Sequence, residues 1–167
     1  MCKPVIYFYP KSNTQLSVDV RPDGGFTFTE PKYYKGWNII AHPDGTITDL
    51  TDGKHYPYLF WEGMSLRYPK SDEGWIITPA IAETFLEEKL SLLGLNDKER
   101  ADFKEYWVKR LAEDGKAYYK ISFLTKEQFE FLAPLTISEK PDTLIRVMMT
   151  AEALDAPITI TAPALHA

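Results

Sequence analysis

Glu62 closes the aromatic run Tyr58-Leu59-Phe60-Trp61-Glu62-Gly63, and its neighbours suit it to acid–base work. Aromatic rings solvate a carboxylate poorly and so favour the protonated acid. Sites that cleave sugar linkages use such an acid with a second carboxylate about 5–10 Å away. Asp44, Asp49 and Asp52 lie shortly upstream between two Asp-Gly turns, and Asp44 is the first choice for that second group. A structural role competes with the catalytic one. Arg146 stands alone in Leu144-Ile145-Arg146-Val147-Met148-Met149, and a lone cation in an apolar strand must reach solvent or a carboxylate. A Glu62–Arg146 ion pair satisfies both residues and is the favoured expectation.

The same half of the chain is crowded with rings: Tyr33, Tyr34, Trp37, Tyr56, Tyr58, Trp61, Tyr68 and Trp75. Exposed Trp and Tyr stack on sugar rings or anchor a protein partner. Trp37, Tyr58 and Trp61 are therefore candidates for a face that binds a glycan or a protein. Aromatics are equally favoured strand residues, so a large share must be core.

Other chemistries have weaker support. The three histidines are His42, His55 and His166. His42 and His55 flank a central hairpin and could approach each other, yet no HxH, HxxxH or HExxH spacing is present. Exposed strand-end histidines are expected, with no metal and no cofactor assigned. The segment Asp44–Gly53 mixes Asp with Gly as calcium loops do, but it lacks their alternating Asp and closing Glu. No serine stands in a Gly-x-Ser-x-Gly elbow, and the dispersed glycines form no phosphate loop.

These residues need elements to hold them. Residues 4–78 are β-rich: an apolar run Val5–Tyr9, the alternation of Leu16, Val18 and Val20 with polar residues, and turns at Pro22-Asp23-Gly24, Pro43-Asp44-Gly45 and Asp52-Gly53. Residues 79–115 predict two helices joined by a short link, an αα-hairpin. Pro79 opens the first helix, and Asn96 with Glu99 forms a capping box for the second. Residues 117–161 are mixed: a strand over 118–124, a short helix capped by Thr125 and Gln128, a strand over 143–149 and a closing strand over 158–160. No βαβ unit repeats, so the class is α+β. The expectation is a single domain over 1–167, an antiparallel sheet from the N-terminal half and the C-terminal strands, covered by the αα-hairpin.

Composition narrows the partners. The 167 residues carry a net charge of −5 with the basic residues scattered, which argues against nucleic acid. A single cysteine, Cys2, rules out a disulfide within the chain. No stretch approaches the ~20 apolar residues of a membrane span. Cys2 directly after Met1 leaves a lipid anchor open.

Lys3-Pro4-Val5-Ile6-Tyr7-Phe8-Tyr9-Pro10, Gly36-Trp37 through Pro43-Asp44-Gly45, and Tyr58–Gly63 together resemble an uncharacterised bacterial family with Lys-Pro-Val-Ile-Tyr-Leu-Tyr-Pro and Tyr-Leu-Phe-Trp-Glu-Gly motifs. Leu93–Asn96, Asp102-Phe103 with Tyr106-Trp107, and Pro141-Asp142-Thr143 through Val147 extend the likeness over most of the chain. Its members look exported or lipid-anchored, with a Cys before the Lys-Pro, the place held here by Cys2. A Phe-Thr-Val-Val-Glu-Trp-Gly-Gly-like segment of that family has no counterpart in this sequence. The resemblance implies one intact fold and an envelope or extracellular location, and it carries no activity. The leading expectation is a non-catalytic binding or structural module of the bacterial envelope; the alternative is a hydrolase of an envelope glycan using Glu62 and an Asp of the 44–52 segment.

Overall fold

Along Trp37–Ala41, buried Trp37, Ile39 and Ala41 alternate with Asn38 and Ile40, the period of a strand with one wet face. This pattern recurs through the computed structural model of the chain, which describes residues 4–63, 67 and 71–165. Cys2, Tyr68 and His166 lie outside the described residues, and so does the anchor expected at Cys2. The strands are β1 (Val5–Tyr9), β2 (Thr14–Val20), β3 (Phe26–Glu30), β4 (Trp37–Ala41), β5 (Ile47–Asp49), β6 (His55–Tyr56), β7 (Leu59–Gly63), β8 (Trp75–Ile77), β9 (Tyr118–Phe123), β10 (Leu135–Ile137), β11 (Thr143–Val147) and β12 (Met149–Leu154). The helices are α1 (Ala82–Leu92), α2 (Asp97–Glu113) and α3 (Lys126–Leu132). The class is α+β with antiparallel sheets, as the sequence predicts.

By packing, the described chain falls into two compact units. Residues 4–63, 67 and 123–149 form the first; residues 71–122 and 150–165 form the second.

In the first unit a four-stranded sheet of order β11-β1-β7-β3 and a five-stranded sheet of order β10-β2-β4-β5-β6 share one apolar core. Ile6, Phe8, Leu59 and Trp61 enter it from one sheet, and Leu16, Val18, Trp37, Ile39 and Ile47 from the other. Phe129 and Leu132 of α3 add to it. Val5, Tyr7, Phe60 and Val147 are also buried, on the second face of the four-stranded sheet, so the unbroken run in β1 belongs to a strand buried on both faces.

The β4–β5 connection is a tight turn in which Gly45 N–H donates to the His42 carbonyl (3.0 Å) and His42 N–H to the Thr46 carbonyl (2.9 Å). Gly45 has φ +85°, a left-handed conformation that side chains disfavour. A Cβ there would lie 2.5 Å from Tyr9 Cε1, so the turn sits directly on the Tyr9 ring.

In the second unit β8 and β9 pair antiparallel within a three-stranded sheet of order β12-β9-β8. Pro79–Ile81 forms a 3₁₀ turn ahead of α1, rather than the helix's own first turn. The helices bury Phe85, Leu86 and Leu90 on one side and Phe103, Trp107 and Leu111 on the other. Glu87 joins them through Arg100 and Lys104, both at 2.7 Å. Trp75 of β8 meets Phe85 edge-on at 5.7 Å, and the Tyr119 hydroxyl donates to the Leu111 carbonyl.

Two expected strands differ. The one over 143–149 breaks at Met148 into β11 and β12, one in each unit. The one over 158–160 is absent; an isolated bridge between Glu73 and Thr161 stands there instead.

Candidate functional site

The expected aromatic face does not form. Trp37 and Trp61 are 1% and 2% exposed, inside the core of the first unit, and the Trp37 indole N–H donates to the Pro31 carbonyl at 2.9 Å. Their strand phase aims both rings inward with Ile39 and Leu59, where no ligand reaches them. Tyr58 is half-buried and packs edge-on against Tyr7 at 5.4 Å. Among the described residues the exposed large rings include Phe28, Tyr34 and Phe131, of which only Tyr34 belongs to the aromatic cluster read from the sequence.

The Glu62–Arg146 pair is corrected as well. Arg146 lies opposite Ile6, and Ile6 opposite Leu59, so Arg146 points to the inner face of its sheet. Glu62 has the other parity in β7 and stands opposite Phe28 on the outer face. Arg146 instead reaches Glu130 (2.8 Å) and the Ala133 carbonyl (2.7 Å), with its guanidinium carbon 4.2 Å from the Phe129 ring centre. Burial holds its pKa below the ordinary arginine value, against the opposing pull of Glu130.

Glu62 and Asp44 do not form a catalytic pair. Phe60 is opposite Val5, and Glu62 lies beyond it, away from Tyr9. At the rise of a strand Glu62 is roughly 20 Å from Tyr9, the residue that carries the Asp44-Gly45 turn. Two carboxylates that share a sugar linkage must be far closer. Asp44 accepts instead from the Thr46 backbone N–H (2.9 Å) and hydroxyl (2.6 Å). Asp49 is buried and accepts from the Thr51 N–H at 3.2 Å. Asp52 accepts from the Tyr56 hydroxyl at 2.6 Å; that bond holds the carboxyl below its usual range and pushes Tyr56 up to about 12.

What the structure does bring together is a polar row on the outer face of the five-stranded sheet. Ile40 is opposite Thr48, and Thr48 opposite His55. Because Ile39, Ala41 and Ile47 turn inward, Ile40, Thr48 and His55 turn out, with His42 beside them. His42 Nδ1 lies 3.0 Å from Asn13 Oδ1, and His42 Nε2 lies 2.8 Å from Thr48 Oγ1. Thr48 Oγ1 lies 3.0 Å from His55 Nδ1, and the two imidazole centres are 6.1 Å apart. On the adjoining strands the Ser17 hydroxyl donates to Asn38 Oδ1 at 2.9 Å.

The partners dictate the protons. Asn13 Oδ1 only accepts, so His42 carries its proton on Nδ1. With neutral rings, Nε2 of His42 then accepts from the Thr48 hydroxyl, whose oxygen accepts from His55 Nδ1–H. The order Asn13–His42–Thr48 matches that of orienter, base and nucleophile. Thr48 lies inside strand ladders on both sides, however, so the surrounding backbone N–H groups are committed to pairing rather than to an oxyanion.

Elsewhere the resources are slight. A shallow groove of about 450 Å³ on the helix pair is lined by Glu83, Ala101, Lys104, Glu105, Val108 and Lys109. Among the described residues no three His, Cys, Asp or Glu side chains converge as a metal site, and no helix is long and apolar enough to cross a membrane. Compared with known proteins, the chain matches no family model, no curated protein and no solved structure.

The histidines were legible as neighbours of a hairpin; Asn13, Ser17, Asn38 and Thr48 were missed. The overlooked signal is parity, since Asn38 and Thr48 each sit between residues that turn inward.

Proposed function

We propose that this chain is a non-catalytic binding module whose ligand is a neutral glycan, held on the outer face of the five-stranded sheet. The carrying observation is the cross-strand row Asn13, His42, Thr48 and His55, extended by Ser17 and Asn38. Its amides, hydroxyls and imidazoles both donate and accept without a fixed charge, as sugar hydroxyls do. Half-exposed Ile40, amid the row, offers an apolar spot for a C–H face of a pyranose. A rigid sheet holds these groups in place before the ligand arrives, which lowers the ordering cost of binding. The likeness of Lys3–Pro10 and Tyr58–Gly63 to an exported family supports an envelope location.

The test is a titration of ¹⁵N-labelled protein with chitohexaose, cellohexaose and maltohexaose. At least one should shift the amides of Asn13, Ser17, Asn38, His42, Thr48 and His55 together, and Asn38→Ala with Thr48→Val should abolish the shifts. Shifts confined to other residues, or none with any of the three sugars, would overturn the reading.

A further inference from the structure

We infer that the ligand of this face is an N-acetylated hexosamine oligomer, with an acetamido group held by Asn38, Ile40, Thr48 and Leu50. The inference rests on the glycan reading above and names the class of sugar. Ile40 is opposite Thr48 and Ile39 opposite Asp49. The Leu50 N–H donates to the Asn38 carbonyl at 2.8 Å, so the pairing runs one residue further and sets Leu50 opposite Asn38. Leu50 has the outward parity of Thr48 and is 43% exposed. Opposite residues of a ladder lie about 5 Å apart, and residues two along a strand about 7 Å apart. Asn38, Ile40, Thr48 and Leu50 therefore mark the corners of one small block on the outer face.

The corners alternate in chemistry. Ile40 and Leu50 share one diagonal, and Asn38 and Thr48 share the other. Asn38 Oδ1 is taken by the Ser17 hydroxyl, so its NH₂ group is what it offers a ligand. Thr48 Oγ1 gives its hydrogen to His42 and takes one from His55, which leaves one lone pair to accept. A trans secondary amide points its carbonyl and its N–H in opposite directions, as these two corners require. The acetamido carbonyl accepts from Asn38, its N–H donates to Thr48, and its methyl covers Ile40 and Leu50. A plain hydroxyl in that place brings no apolar atom, so Leu50 stays wet. An ammonium would rest on two aliphatic side chains with no carboxylate among the four residues.

Chitohexaose, cellohexaose and the fully deacetylated hexamer of chitosan share one β-1,4 backbone. They differ only at C2, as acetamido, hydroxyl and ammonium. Titration of the ¹⁵N-labelled full chain should give chitohexaose a dissociation constant at least about tenfold below the other two, the scale of one covered methyl group with one hydrogen bond. Leu50→Ser should remove most of that preference, and Leu50→Met should keep it, because only methionine still covers the methyl. If cellohexaose or maltohexaose moves the Asn13, His42, Thr48 and His55 amides as tightly as chitohexaose, the glycan reading stands and the acetamido assignment is overturned. Full preference in Leu50→Ser, or equal binding of the deacetylated hexamer, overturns it as well. If none of the four hexamers moves the row, both readings fall together.

Discussion

Arg146 is held between the ring of Phe129 and the carboxylate of Glu130, on the sheet face opposite the one that carries Glu62. Its side chain is only 13% exposed while that of Glu130 is 50% exposed, so the cation is the partner whose loss matters more. Arg146→Met should destabilise the fold by about 1–3 kcal/mol, since it strands the Ala133 carbonyl and removes packing over Phe129. Chemical denaturation supplies the number. A double-mutant cycle between 146 and 130 should show coupling, and one between 146 and 62 should be additive to about 0.5 kcal/mol. Coupling to Glu62 would contradict the strand parity.

Tryptophan emission tests the loss of the aromatic face. Trp37, Trp61 and Trp107 are buried, whereas Trp75 is half-exposed. Acrylamide should therefore quench the native protein mainly through Trp75, and Trp75→Phe should leave the remaining emission largely protected. Strong residual quenching in that variant would mean that Trp37 or Trp61 reaches solvent after all.

The Tyr56–Asp52 bond gives stability two pH limits. Tyr56 titrates near 12 when folded and near 10 when unfolded, so the contribution is full below about pH 10 and fades as pH rises towards 12. Asp52 is held low by the same hydroxyl, so on the acid side the contribution is present above about pH 4 and fades as pH falls below that. The melting temperature of the native chain minus that of Tyr56→Phe should form a plateau between these limits and narrow at both ends. A gap that does not vary with pH would refute the bond.

Gly45 carries two demands at once. Its φ of +85° strains any side chain, and a Cβ would press on the Tyr9 ring. Gly45→Ala should cost about 1–3 kcal/mol by thermal unfolding. Tyr9→Ala in the same chain should recover only the steric share, because the backbone strain persists. Full recovery would show that the φ demand is negligible. The same turn sets where His42 leaves β4, so Gly45→Ala should also shift the His42 ring resonances.

Local chemistry was the legible part. The Asn96–Glu99 box closes at 2.7 and 3.0 Å and the Thr125–Gln128 box at 2.9 and 3.2 Å, both where the sequence puts them, because each cap needs only residues three apart. The Pro43-Asp44-Gly45 turn was legible for the same reason. Burial of Trp37 was half-legible: its alternation with Asn38 fixes one face, but only the shared core shows that this face is the inner one. The partner of Arg146 was not legible. It depends on the register of β11 against β1 and of β1 against β7, which no local pattern encodes. The Asn13–His42–Thr48–His55 row needs residues from β5, β6 and two connections, brought together by three registers at once.

Val5 pairs with Val147, and the strands joined there are separated in sequence by the whole second unit's helix pair. On the ribosome β1 would therefore wait with one edge unpaired while β2 to β10 and all three helices are made. A nascent chain halted before residue 143 holds an apolar strand with no neighbour on that side, the state in which sheet proteins associate wrongly. Completion of the first unit is a late event of synthesis, and a cell making this chain has reason to shield β1 until β11 emerges.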